Sequence, residues 1–446
     1  MNNLNSFVFE QIEKYKKYKK PIEVDFKQTF PKLNNLERGT HLIHPYPAKL
    51  LVHIPYLFLN NDFFSKPGDY VLDPFCGSGT VLLESILARR RAIGADSNPL
   101  ARLISKTKTT IYNTEELLEK SRELIDKIDK RKRAPTPNVV NIDYWFLPNI
   151  KRQLTSIKLI IDNVQDEELK NFYNVSFSNL IKKVSLADPR ISVPVRLNPL
   201  KYSLSHPLRK KSISSLEELN NLDVRKKFQE ILLNNVKRFA RLEKLIDNNY
   251  EVNVDSIDAR ELRSNNSRKL RSESVQLLIS SPPYCGAQKY VRSSSLSLGW
   301  LNFTEGNTSL RELEELSVGR EHYYSYNYNE LQLTGIKKAD KLIKTIHSIY
   351  PKRAFIASNY LIEMKDCFKE ATRVLKKGGY LILVAGSNQI CGYEFKTQQY
   401  LAEILENFGL KPVMQLRDNI KSYGLMTKRN KTASIITCEW ILVFQK

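Results

Sequence analysis

The stretch Tyr70-Val-Leu-Asp-Pro-Phe-Cys-Gly-Ser-Gly-Thr80 decides the fold of this chain. A short apolar run ends on Asp73-Pro-Phe75 and two closely spaced glycines follow. Val81, Leu82, Leu83, Ile86 and Leu87 then recur at helical spacing, with Arg89-Arg-Arg91 at the end that the helix dipole makes negative. A strand, a glycine turn and a helix in that order build a nucleotide-type site at the carboxyl edge of a parallel sheet. Gly77 and Gly79 carry no Cβ, so the backbone can turn sharply and lie directly against a ligand. A phosphate-binding P-loop would need Lys and then Ser or Thr after the last glycine, where Thr80-Val81 stand. A dinucleotide fingerprint would need a small residue at the position of Leu82. Both are excluded.

Working outward, Ala92-Ile-Gly-Ala-Asp96 reads as the next strand and Ser97-Asn-Pro-Leu-Ala101 as the turn into another helix. An acid at that strand end can accept hydrogen bonds from both hydroxyls of a ribose, which makes Asp96 the ribose candidate; a helix-capping Asp is the structural alternative. Tyr250-Glu-Val-Asn-Val-Asp255 reads as a later strand, leading into Ser256-Ile-Asp-Ala-Arg260. The apolar run Val275-Gln-Leu-Leu-Ile leads into Ser280-Ser-Pro-Pro-Tyr284.

Phe75-Cys-Gly-Ser-Gly79 and Ser281-Pro-Pro-Tyr284 together resemble the S-adenosylmethionine-dependent amino-methyltransferases of DNA. In that family an F-x-G-x-G loop holds the methyl donor, and an Asp, Asn or Ser followed by Pro-Pro and an aromatic holds the target amine. The resemblance covers about residues 40 to 110 and 250 to 446. It implies an α/β fold, a class I Rossmann-like methyltransferase sheet with a terminal β-hairpin, carrying here a largely helical insertion. It implies a donor site drawn from Lys49, Asp73, Phe75, Gly77, Gly79, Thr80, Asp96, Ser97 and Asp258. Asp258 would meet the adenine amine, and Lys49, in His44-Pro-Tyr-Pro-Ala-Lys49, would close the methionine end. It implies a catalytic strand end of Ser281, Pro282, Pro283 and Tyr284. There the Ser281 hydroxyl oxygen and the Pro282 carbonyl accept the two hydrogens of an exocyclic amine, and Tyr284 stacks on a base flipped out of double-stranded DNA. A motif that begins with Ser points to cytosine N4; adenine N6 enzymes more often begin with Asp or Asn. Carbon-5 methylation is excluded, because it needs a Pro-Cys nucleophile and none of Cys76, Cys285, Cys367, Cys391 and Cys438 follows a proline.

Composition agrees with a nucleic-acid enzyme. There are 70 Lys and Arg against 48 Asp and Glu, a formal net charge of +22, which attracts a polyanion without conferring sequence specificity. The cations cluster at Lys14–Lys20, Lys127–Arg133 and Arg209–Lys211. No basic amphipathic anchor, signal peptide or bilayer-length apolar run accompanies them, and cysteines without a C-x-x-C pair indicate a reducing cytoplasm and no metal site. A cognate restriction endonuclease would be the partner within such a system.

Three domains are expected: 1–110 with the donor loop, a mostly helical insertion at 111–249 as candidate target-recognition domain, and 250–446 as the catalytic part, itself interrupted at 285–351. Helical stripes at Glu115–Ile128, Leu154–Ile161 and Phe228–Leu242 flank an irregular stretch with Pro189, Pro194, Pro199 and Pro207 among basic residues. The second interruption carries Tyr323-Tyr-Ser-Tyr-Asn-Tyr328 among Arg292, Arg311 and Arg320, which can stack on bases or cover the pocket. Lys376-Lys-Gly-Gly379 is expected to cap the helix that contains Leu361–Leu375. Pro412–Arg417 and Cys438–Phe444 should form the terminal hairpin, with Ile420–Gly424 near the site.

Overall fold

The computed structural model describes residues 2–34, 38–47, 49–128, 135–264, 268–286, 290–419 and 438–446. Its strands are β1 (Ile22–Glu23), β2 (Tyr70–Asp73), β3 (Arg91–Ala95), β4 (Val252–Ser256), β5 (Val275–Ser280), β6 (Leu375–Ala385), the small hairpin β7 (Asn388–Ile390) and β8 (Tyr393–Phe395), β9 (Lys411–Asn419) and β10 (Cys438–Gln445). Eight of them form one sheet in the order β1-β9-β10-β6-β5-β2-β3-β4. Only β10 runs antiparallel to its neighbours, β6 and β9. The class I methyltransferase sheet with its terminal hairpin is therefore the observed architecture.

Alternation along each strand assigns its side chains to two faces. Val71, Leu277, Ile279, Ile382, Ile441 and Val443 point into a core with the amino-terminal helices Asn2–Tyr18 and His53–Leu59. Leu72, Leu278, Leu381, Leu383 and Leu442 point the other way, into a core with the helices Lys337–Ile349, Pro351–Val374 and Thr397–Asn407. Covering both faces is what makes these parallel strands nearly continuous apolar runs in the sequence.

The insertion does not build a core of its own. Its helices Thr114–Lys127, Pro148–Asp162, Glu167–Ile181 and Val224–Glu243 share one apolar cluster with Leu83 and Ile86 of the donor-loop helix and with Leu100 and Ile104 of the following one. Val291 and Trp300, from the second interruption, join the same cluster. The described helices of the insertion and the helix Tyr290–Trp300 are thus packed as an added layer onto the helices that follow β2 and β3.

One expected element differs. Lys376–Gly379 does not cap the preceding helix, which ends at Leu375 in extended conformation, and β6 begins there at once. The positive φ of Gly378 instead serves an irregularity in the pairing of β6 with β5, and its N–H donates to the Lys446 carbonyl at 2.9 Å. Ile420–Gly424 and most of the basic run Lys127–Arg133 lie outside the described residues. No described helix is long and apolar enough to cross a membrane.

Candidate active site

The strand order reverses at β2, which has β3 on one side and β5 on the other, so their carboxyl ends open a crevice at the switch point. Both sequence motifs end there and are joined directly. The hydroxyl of Ser280 donates to Asp73 Oδ1 at 2.6 Å, and the Phe75 N–H donates to the same oxygen at 3.1 Å. Asp73 is 4% exposed. Burial pushes its carboxyl up to about 7, the charge of Asp96 adds to the rise, and the two donors oppose it.

A cleft opens above this junction. Of the residues expected from the sequence, Phe75, Gly77, Asp96, Ser97, Asp258, Ser281 and Pro283 line it. Asp96 is oriented by its own surroundings: Gly77 N–H donates to Oδ2 at 3.0 Å and Asn98 N–H to Oδ1 at 2.8 Å. Each carboxylate oxygen keeps a further lone pair, as a ribose acceptor requires. Burial raises the Asp96 carboxyl against these two donors. Asp258 also lines the cleft, and its Oδ1 accepts from Arg260 Nε at 2.9 Å. Gly77 adopts φ +49°, and a Cβ there would point at the Tyr46 ring, 3.6 Å away.

Lys49, Gly79 and Thr80 do different work. Lys49 turns its ammonium onto the carbonyls of His41 at 3.1 Å and His44 at 2.6 Å, so it fastens its own segment and does not line the cleft. Gly79 is the N-cap of the helix Thr80–Leu87 at φ +74°, and a Cβ there would lie 2.8–3.0 Å from Ser105. It permits close helix packing. Thr80 is buried behind it.

Pro282 is buried and does not line the cleft. Tyr284 does not line the cleft, and its hydroxyl hydrogen-bonds to Glu439 of β10. Burial pushes the Glu439 carboxyl up to about 7, with Asp418, its partner across the β9–β10 ladder, contributing.

Several lining residues are not among those expected to hold the donor. Tyr46 comes from the amino-terminal segment and receives a hydrogen bond from Asn98 Nδ2 at 3.3 Å; Ser317 meets Ser97 at 3.3 Å; Tyr290 and Val318 close the wall. Tyr46 is held in place because its segment is pinned on two sides. Arg38 and His41 contact the buried Glu84 at 3.1 and 2.8 Å, and His44 contacts Ser178 of the insertion at 2.9 Å. Gly94 belongs to the same design: a Cβ there would strike Leu82 at 2.7 Å and Cys76 at 3.1 Å, so β3 can lie close to the donor loop only without one. A glycine inside a strand is the one sequence signal that points to it.

The cleft fits S-adenosylmethionine by its donor set: bare backbone at Gly77, a carboxylate with spare acceptor capacity at Asp96 and a second at Asp258. Asp96→Ala should weaken donor binding by ~1–3 kcal/mol, the cost of leaving ribose hydroxyls without their acceptor. Calorimetry on the folded variant checks this, and unchanged affinity would remove Asp96 from the role.

Residues 5–107 match a family model described as DNA methylase, of the N6/N4 type. The type II methyltransferase M.MvaI of Kocuria varians is 24% identical over 419 residues, which is 90% of this chain and 88% of that protein. M.BsoBI of Geobacillus stearothermophilus is 22% identical across 80% of this chain and 75% of its own. M.MjaII of Methanocaldococcus jannaschii is 25% identical across 44% and 39%. Among solved structures, the rRNA methyltransferase aviRa of Streptomyces viridochromogenes covers 94% of this chain and 96% of its own at 9% identity, with a TM-score of 0.34; the fold assignment rests instead on the strand order. The family match covers the segment that carries the donor loop and the relatives extend the likeness along most of the chain, which is therefore similar to the S-adenosylmethionine-dependent DNA amino-methyltransferases.

Proposed function

We propose that this protein methylates the exocyclic N4 amine of a cytosine turned out of double-stranded DNA, as the modifying half of a restriction-modification system. The observation that carries the reading is that Ser281 and Pro283 share one cleft with Asp96 and Asp258, so an amine held by the catalytic strand end faces the donor pocket. The base assignment is supported by Ser281 at a position where adenine enzymes more often have Asp or Asn.

S-adenosylmethionine, when bound, supplies an electrophilic methyl group. The protein's part is to hold the amine in line and meet the charge that grows on nitrogen. The amine lone pair is delocalised into the ring, and two oxygen acceptors, Ser281 Oγ and the Pro282 carbonyl, favour a more tetrahedral nitrogen and stabilise that charge. The Ser281 hydroxyl is neutral, so the departing proton goes to solvent rather than to a titrating base. Tyr284 supplies a stacking face for the extruded base, with Glu439 holding its hydroxyl. Target reading falls to residues 111–249, with 285–351 contributing.

The test is the nucleoside content of digested chromosomal DNA from cells expressing the chain. N4-methylcytosine is expected. N6-methyladenine would overturn the base assignment and keep the mechanism; no methylated base, with the donor shown to bind, would sink the function.

A further inference from the structure

From Pro189 to Leu216 the chain has no acidic residue, yet it contains Arg190, Arg196, Lys201, Arg209, Lys210 and Lys211. This stretch is an irregular loop leading into the helix Pro207–Asn220, and side-chain contacts tie parts of it together. Arg190 binds Asp188 through two nitrogens, at 2.8 and 2.5 Å, and reaches the Tyr202 hydroxyl at 3.4 Å. Tyr202 stacks on His206 with ring centroids 5.0 Å apart, and Arg209 donates to the Tyr202 carbonyl at 3.1 Å. Two of the cations, Arg190 and Arg209, are therefore used internally as braces. Lys201, Lys210 and Lys211 are left exposed.

At the tip of this braced loop stand Leu200, 79% exposed, and Leu204, 85% exposed. The same bracing that shapes the loop leaves these two leucines facing solvent among cations. Such a surface has lost apolar burial and gained positive charge, which suits a polyanion that also offers apolar edges. The loop joins the catalytic side of the molecule. Arg196 lies over the Tyr144 ring at 4.6 Å, and Leu186 N–H donates to the Trp145 carbonyl. Trp145 lines a trough that runs through Val291, Glu314 and Arg320 toward Ser317 and Val318 on the wall of the donor cleft.

We propose that the loop 189–211 is a DNA-contacting element in which Lys201, Lys210 and Lys211 hold backbone phosphates while Leu200 and Leu204 enter a groove against the bases. The assignment rests on the DNA-methylating reading and divides labour within it. Phosphate contacts set affinity and register, and apolar contacts to base edges or steps carry sequence information and permit local deformation. DNA is favoured over a second copy of the chain because the patch has no acid and two such surfaces would repel.

The test compares two variants with the wild-type chain, using a mixed-sequence duplex as the binding probe and chromosomal DNA as the methylation substrate. Lys201→Gln/Lys210→Gln/Lys211→Gln should weaken duplex binding, and the slope of its salt dependence should fall by about one for each phosphate no longer held. Leu200→Ser/Leu204→Ser should keep that slope while methylation of chromosomal DNA falls about tenfold or more. Calorimetric binding of S-adenosylmethionine should be the same in all three, which shows that the variants are folded. An unchanged salt slope in the lysine variant, or unchanged methylation in the leucine variant, overturns the proposal while the DNA reading stands. A change of oligomeric state in the leucine variant with DNA methylation intact would assign the patch to a protein interface instead. Failure of the wild-type chain to bind or methylate any DNA would remove the reading on which the proposal rests.

Discussion

Replacing Ser281 by Ala is expected to lower turnover by about 10²–10³, a loss of ~2.7–4 kcal/mol of the kind seen when one preorganised polar group is removed from around a developing charge. Donor affinity should be unaffected, because the contacts that orient Asp96, Asp258 and Gly77 do not involve Ser281. The split between the two constants is the informative part, since a group whose contact strengthens only as the transition state forms changes kcat and not ground-state binding. Ser281→Asp should recover part of the activity, because it restores an acceptor at the same strand end. The neighbouring ring provides a graded control: Tyr284→Ala should cost ~1–3 kcal/mol of stacking, and Tyr284→Phe less, since it keeps the face and loses only the Glu439 hydrogen bond. Single-turnover methylation with titrated donor checks all four variants. A Ser281→Ala enzyme that turns over normally, or that loses donor binding and turnover together, would remove Ser281 from the amine.

The parts of this protein that are legible in the sequence are those where local pattern and global fold agree. The apolar runs of β2, β5 and β6 are readable because both faces of the sheet are covered, and the motifs sit at strand ends because a parallel sheet binds at that edge. Site residues supplied by distant segments are not legible. Tyr46, Asn98 and Ser317 meet in the cleft only through packing of the amino-terminal segment, the helix after β3 and the second interruption. Lys49 escapes sequence reasoning for a related reason: a lysine near a ligand segment suggests an ion pair, but two carbonyls of a tight turn are closer and take its ammonium. Gly79 illustrates a third limit. The same glycine signal serves ligand approach at Gly77 and helix packing at Gly79, and only the position of Ser105 separates them. The insertion reads as a separate unit from its interrupted periodicity, whereas its helices complete a core already begun by Leu83, Ile86 and Ile104.

The hydrogen bond between the two motifs makes a stability prediction of comparable size. Asp73 is buried, its carboxyl is pushed up to about 7, and an unfolded chain would return it to about 3.9. The folded state therefore holds a proton that the unfolded state has already released anywhere between those values. Folding is favoured fully at low pH, and stability falls as pH rises toward 7, by up to ~1.4 kcal/mol per unit. Above that the ionised, buried carboxylate is a constant burden of order 4 kcal/mol, the slope accumulated between the two values. Asp73→Asn keeps an oxygen for both the Ser280 hydroxyl and the Phe75 N–H, which share Oδ1, and removes the charge. The variant should thus be more stable than the wild-type chain at pH 8 by a few kcal/mol and no more stable near pH 4. Denaturant titration at the two pH values measures the difference, and other titrating groups cancel between the two proteins. A stability gain that is the same at both pH values would mean that Asp73 does not hold a proton in the fold. A large loss at both would mean that the junction of the two motifs depends on the carboxylate itself.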